Sequence, residues 1–220
     1  MLKHRGLRGL DYQIVRRIRL AARNYKNHLV GKTFMFVYEN TCLEVMFTTR
    51  AFFHLTGVNS TLSAVNFYKH AVQANTLRSS EIYFDTEHPF DLADLKTRFL
   101  QNLYRMTVTE VFIVDNILTA TACFDFGLTD LEMVLCLGRD TDKHGNVISN
   151  RWIPYSFRIE NIDNRSFDNL FEVLWTFEKN SNDTKYNRLS YGNINDLENI
   201  PETIKSNLDI DKIIANNTSN

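Results

Sequence analysis

The second half of the chain is a succession of short apolar stretches separated by turns rich in Asp and Asn. That alternation leaves few folds open. Residues 107–114 and 118–126 flank Asp115-Asn116. Residues 131–138 and 152–157 flank a polar loop, 139–150, with Lys143-His144-Gly145-Asn146 as its turn. Residues 171–178 and 186–191 flank Asn180-Ser181-Asn182-Asp183. Runs of this length with such turn chemistry read as strands of an antiparallel meander. Sixteen Phe and nine Tyr favour the same reading, because aromatic side chains fit a pleated, half-buried surface.

The first half carries helical spacing instead. Leu10, Ile14, Ile18, Ala22, Tyr25 and Leu29 recur every three or four residues, with Gly31 placed to end the helix. Two strands follow, 33–38 and 43–47, around the turn Glu39-Asn40-Thr41. Thr48 or Thr49 can cap a short helix that carries His54 and closes at Gly57. Ser60 or Thr61 can cap a second helix reaching about Ala74, with Leu62, Val65, Tyr68 and Val72 on its buried face. Residues 77–85 read as a strand, and His88-Pro89 breaks the chain. Asp91 is a good N-cap for a third helix, with Leu92, Leu95, Phe99, Leu103 and Met106 as its stripe and Lys96 and Arg98 off it. The order predicts an α+β domain with helices packed on one face of the sheet.

Charge is unevenly placed. Residues 1–32 hold nine Lys/Arg against one Asp, net +8, while the remainder holds 16 against 25 acidic residues, net −9. A basic arm on an acidic body is either a contact surface for an anionic partner, through Arg16, Arg17, Arg19 and Arg23, or an amphipathic helix that neutralises the body it packs on. Cys42, Cys123 and Cys136 are odd in number and lie within apolar runs. They read as reduced core residues of a cytoplasmic chain. No apolar run has membrane-spanning length, so no membrane contact is expected. The sequence divides into a basic N-terminal helix (1–31), an α+β domain (32–192) and a polar C-terminal tail (193–220). Residues 215–220 of that tail are expected to be disordered.

No Gly-rich phosphate loop, nucleophile elbow, HExxH or EF-hand pattern is present. Chemistry that needs no cofactor remains, and RNA cleavage is one such chemistry. The substrate's 2′-hydroxyl is the nucleophile, so the protein supplies only proton transfer and phosphate contacts. Histidine suits the first task, and Lys, Arg, Ser, Thr or Tyr suit the second. His54, Thr56, Lys69, Lys96, Ser156, Arg158, Lys179 and Tyr191 are such groups on elements flanking the sheet. Read alone, His54 is more simply a half-buried histidine bonded to backbone than a catalyst, and Lys96 a solvated helix residue.

The residues Phe53-His54-Leu55-Thr56-Gly57, Leu62-Ser63-Ala64 and Phe67-Tyr68, with Trp152-Ile153-Pro154-Tyr155-Ser156-Phe157 and Phe177-Glu178-Lys179 downstream, carry a family likeness. Residues 20–192 resemble the phage-associated barnase–EndoU–colicin–RelE-like nucleases, in the fourth phage subfamily. The resemblance implies N-terminal helices on a curved antiparallel sheet and a metal-independent, cofactor-free endoribonuclease. Such nucleases are often toxins of phages or mobile elements, with RNA as substrate and an antitoxin or other protein as partner. It implies His54 as the acid/base, Ser156 and Thr56 as phosphate or orienting groups, and Lys69 and Tyr191 as lesser candidates. The alternative is a catalytically inert nucleic-acid-binding or protein-interaction module with a structural His54. In the enzyme, His54 and a cation open into a common cleft; in the inert module, His54 is packed under Phe52 and Phe53.

Overall fold

A computed structural model describes residues 4–74, 76–119, 122–142, 144–159 and 167–218, with side chains described from residue 11 onward to 217. The side chain of Leu10, Lys143 of the predicted turn, and the last two residues of the predicted tail lie outside the described residues.

Helix α1 (His4–His28) buries Ile14, Ile18, Ala22 and Tyr25, and Leu29 just after it is buried too, the stripe its spacing dictates. Gly31, at φ +83°, turns the chain out of the helix, a conformation that glycine adopts without a Cβ penalty. Strand β1 (Lys32–Tyr38) then pairs with β2 (Thr41–Met46) and with β10 (Trp175–Asn180). Every residue of β1 after Lys32 is buried. Phe34, Phe36 and Tyr38 enter the core under α1, and Met35 and Val37 enter a second core on the other side. A strand covered on both faces reads as a continuous apolar run rather than an alternation, which Thr33-Phe34-Met35-Phe36-Val37-Tyr38 is.

What covers the second face is the segment after Gly192, expected as a polar tail. It folds as a 3-10 turn over residues 194–199, α5 (Glu202–Lys205) and α6 (Ile210–Thr218). Leu197, Ile204, Leu208 and Ile213 are buried against Trp175, Phe177 and Tyr186. Scattered Ile and Leu among Asn and Asp are enough to close a small core when a sheet face is waiting for them. The helices therefore occupy both faces of the sheet, and α6 runs on to Thr218. Ile204→Val is expected to destabilise the protein by about 0.5–1.5 kcal/mol. Urea unfolding checks this; no loss would mean the segment adds nothing to the core.

The remaining strands are β5 (Phe112–Leu118), β6 (Cys123–Thr129), β7 (Met133–Thr141), β8 (Val147–Ile159), β9 (Leu170–Glu172) and β11 (Arg188–Tyr191). The nine-stranded order is β11-β10-β1-β2-β8-β7-β6-β5-β9. The fold is α+β as predicted, but the sheet is mixed: β2 and β8 run parallel, joined at Val45 opposite Trp152. Several local expectations change. Asp115 and Asn116 lie inside β5, where Asp115 accepts the Asn169 N–H (2.9 Å) at the approach of β9. The hairpin turn comes after Leu118, with the Thr119 N–H donating to the Ala122 carbonyl. Strands β7 and β8 extend into the predicted polar loop. Residues 171–178 divide between β9 and β10, because the Val173 and Leu174 N–H groups bond to Val111 and Val37.

The helices also shift. Helix α3 (Ala64–Val72) is capped by Ser63, whose hydroxyl accepts the Asn66 N–H. Ser60 instead lies in the short strand β3 (Asn59–Ser60), paired with β4 (Ile82–Tyr83), which is all that is strand within 77–85. The buried face of α3 is Phe67, Tyr68 and Ala71, with Val65 40% exposed. Helix α4 (Phe90–Leu100) begins after Pro89, and Asp91 sits in its first turn. Because α4 is wedged between α1 and β8, its buried face is Ala93, Lys96, Thr97 and Leu100, while Leu95 is 40% exposed. Of the three cysteines only Cys136 is buried; Cys123 is exposed and Cys42 half-buried. Among the described residues no helix is long and apolar enough to cross a membrane.

Candidate functional site

Strand β2 ends just before the pair Thr48-Thr49, and the Thr48 hydroxyl accepts the Ala51 N–H (3.2 Å) at the start of α2 (Ala51–Leu55). Three of the five residues of α2, namely Ala51, Phe52 and Leu55, are buried. Phe52 packs edge-on against Tyr25 (5.1 Å) and Tyr68 (5.4 Å). With that face anchored, His54 is left on the open side, exposed rather than packed under the aromatics. Thr56 is fully buried; its hydroxyl donates to the Phe53 carbonyl (2.7 Å) and accepts the Val58 N–H (3.4 Å). That hydroxyl ties the turn which presents His54 and is not itself in the cleft.

Beyond the Val45–Trp152 position the edge of β8 is met by α2 and α4. A cleft of about 220 Å³ opens there, lined by His54 and Gly57, His88, Lys96 of α4, Phe124 of β6, and Tyr155, Ser156 and Arg158 of β8. Four predicted residues, His54, Lys96, Ser156 and Arg158, thus come together. Lys96 is only 9% exposed, and no carboxylate pairs with it among the described residues. Burial pulls its ammonium below the usual lysine range, and the Arg158 guanidinium adds to that, against a smaller opposing effect of Cys136. Gly57, at φ +73°, makes room for the lysine stem: a Cβ there would stand 2.9 Å from Lys96 Cδ. The His54 imidazole is likewise pushed below its ordinary range, first by desolvation, then by the Arg50 and His88 charges.

His88 and Tyr155 enter the site without having been singled out in the sequence. The loop of His88 is held by the Asp85 carboxylate, which accepts the Glu87 and His88 N–H groups (3.0 and 2.7 Å) and the Asn59 amide (2.6 Å). His88 Nδ1 is enclosed, 3.6 Å from Asp85 Oδ1, so the ring meets the cleft by its other edge. In the sequence His88 is simply the residue before a helix-starting proline, and nothing local marks it.

Other candidates lie elsewhere. Lys69 is exposed on α3 and does not line the cleft. Tyr191 is on β11, at the end of the sheet remote from β8 in strand order. Arg17 pairs with Asp94, and Arg19 donates to the Leu77 carbonyl; both serve the packing of α1. Arg16 and Arg23 are exposed and border open hollows on the outer face of α1. A larger hollow, about 320 Å³, holds Lys32 and Arg188, but both cations already reach Glu178 (3.2 and 3.5 Å). Among the described residues no group of three or more His, Cys, Asp or Glu side chains is arranged to hold a metal ion.

One family model, described as phage-Barnase-EndoU-ColicinE5/D-RelE like nuclease4, matches residues 17–195. No curated protein and no solved structure matches the chain.

Proposed function

Since the chain belongs to the phage-Barnase-EndoU-ColicinE5/D-RelE like nuclease4 family, we propose that this nuclease is a metal-independent endoribonuclease acting through the His54 cleft. One observation carries the reading: two histidines, a buried lysine with no carboxylate partner among the described residues, an arginine and a serine converge on one cleft. His54, whose neutral form partial desolvation in the cleft and nearby cations favour, takes the proton of the 2′-hydroxyl. The 2′-oxygen forms its bond to phosphorus as the bond to the 5′-oxygen breaks. His88, whose Nδ1 lies 3.6 Å from the Asp85 carboxylate, delivers a proton to the leaving 5′-oxygen. Lys96, Arg158 and the Ser156 hydroxyl hold the non-bridging oxygens, a role in which fixed charges in a water-poor site are strongest. Arg16 and Arg23 extend the contact to flanking phosphates. On this reading the enzyme works in the cytoplasm, as a toxin-like nuclease held in check by an antitoxin or another protein partner.

The test is cleavage of end-labelled RNA in EDTA by the full chain, read as product ends. The reaction above leaves a 2′,3′-cyclic phosphate and a 5′-hydroxyl. Absence of cleavage, or 5′-phosphate ends formed only with added metal, would reject it. The pH profile gives a separate check. A base must be neutral, so kcat/KM falls as pH drops through its pKa. For His54 that limb is expected below the usual histidine value of about 6.5. Removing a neighbouring cation raises the pKa, so Arg50→Gln is expected to shift the limb upward. An unmoved limb would take the base role away from His54.

A further inference from the structure

We propose that Tyr155 is a platform on which one unpaired nucleobase stacks, so that the cleft takes single-stranded RNA and refuses duplex. The inference rests on reading the cleft as a nucleic-acid site and adds to it the form of the substrate.

The register of β7 against β8 slips here. Cys136 stands opposite Ser156 but Leu137 stands opposite Pro154, which leaves Tyr155 as an extra residue on β8. Bulges of this kind re-aim a side chain beside functional sites. Tyr155 is 64% exposed, on the strand face opposite the buried Trp152 and Pro154. Its ring lies across β7 at Gly138, where a Cβ would come within 3.3 Å of Tyr155 Cδ2. The missing side chain gives the ring its seat. Phe124 of β6 stands 5.7 Å away at 53°, and the His54 ring is parallel to Tyr155 within 6°, at 6.3 Å. The exposed ring therefore sits beside both the proposed base and the phosphate-binding cations.

An exposed aromatic ring beside phosphate-binding cations is the pairing that single strands use, with bases stacking on rings while the charges track the backbone. In a duplex both faces of each base are already covered by neighbours, so the ring has nothing to stack on without unpairing. Stacking on one aromatic side chain contributes about 1–3 kcal/mol per base, or about 5- to 150-fold in affinity.

The experiment is fluorescence anisotropy of the full chain with a labelled 2′-O-methyl oligonucleotide, which lacks the attacking hydroxyl and cannot be cleaved. Single strand and duplex of the same sequence are compared. The expected result is tighter binding of the single strand, weakened about 5- to 150-fold by Tyr155→Ala and retained by Tyr155→Phe. Thermal melts confirm that both variants fold. Equal affinity for duplex and single strand, or Tyr155→Ala within twofold of wild type, overturns the platform. So does failure to bind either strand form, which would also remove the nucleic-acid reading. Single-strand binding that depends on Tyr155 in a chain that cuts no RNA supports the platform while rejecting the reaction.

Discussion

His54→Ala is expected to lower RNA cleavage by about 10²–10⁴-fold, the range supplied by a positioned acid/base group. Melting temperature is expected to stay nearly unchanged. The two outcomes separate because α2 divides its labour. Phe52 and Leu55 carry the packing, and His54 stands on the exposed side. An exposed side chain away from caps and buried pairs changes stability by no more than about 0.5 kcal/mol. If cleavage survives the substitution, the base lies elsewhere in the cleft. If the protein melts early, His54 belongs to the core and the inert-module reading gains.

Lys96→Met is expected to move activity and stability in opposite directions. A cation held where negative charge builds up is worth about 10²–10³-fold in rate, so cleavage falls by that order. The same cation is 9% exposed, with burial as the main influence on its ammonium. A buried charge without a partner is unfavourable to folding. Methionine keeps the length of the stem and drops the charge, and the gain is about 0.5–2 kcal/mol. There is a pH signature as well. Between the folded pKa of Lys96 and its ordinary value, the unfolded chain binds more protons than the folded one. Wild-type stability therefore rises with pH through that window, and the rise is absent in Lys96→Met. Urea unfolding across alkaline pH, beside cleavage assays near neutrality, measures both. Loss of both activity and stability would mean that Lys96 is held by favourable contacts and is structural.

Much of the site was legible from local sequence. His54 stands out between aromatics and a Thr-Gly closure, and the cap, the short helix and the glycine turn form where the residues put them. Ser156 and Arg158 follow from their place on a strand. Lys96 was legible as a cation but not as a buried one. Its neighbours Leu92, Leu95 and Phe99 suggest a face that would leave it in solvent. Packing of α4 between α1 and β8 turned the helix to bury Ala93, Lys96, Thr97 and Leu100 instead. Thr56 was chosen for its hydroxyl, yet that hydroxyl is used up by the turn that presents His54.

Legible from the order of residues alone were the α+β class, the N-terminal helix and its stop, the β1–β2 hairpin, and a histidine on the short helix that follows β2. These depend on periodicity and turn chemistry, which act over a few residues. Contacts between distant segments decided the parallel β2–β8 junction, the bulge at Tyr155, the entry of His88, and the folding of the C-terminal segment onto the second face of the sheet. Each of these depends on partners distant in sequence. A register slip is defined only by the opposite strand, and an apolar scatter becomes a core only when a bare face lies within reach. Whether a lysine is buried depends in the same way on which two elements close around its helix.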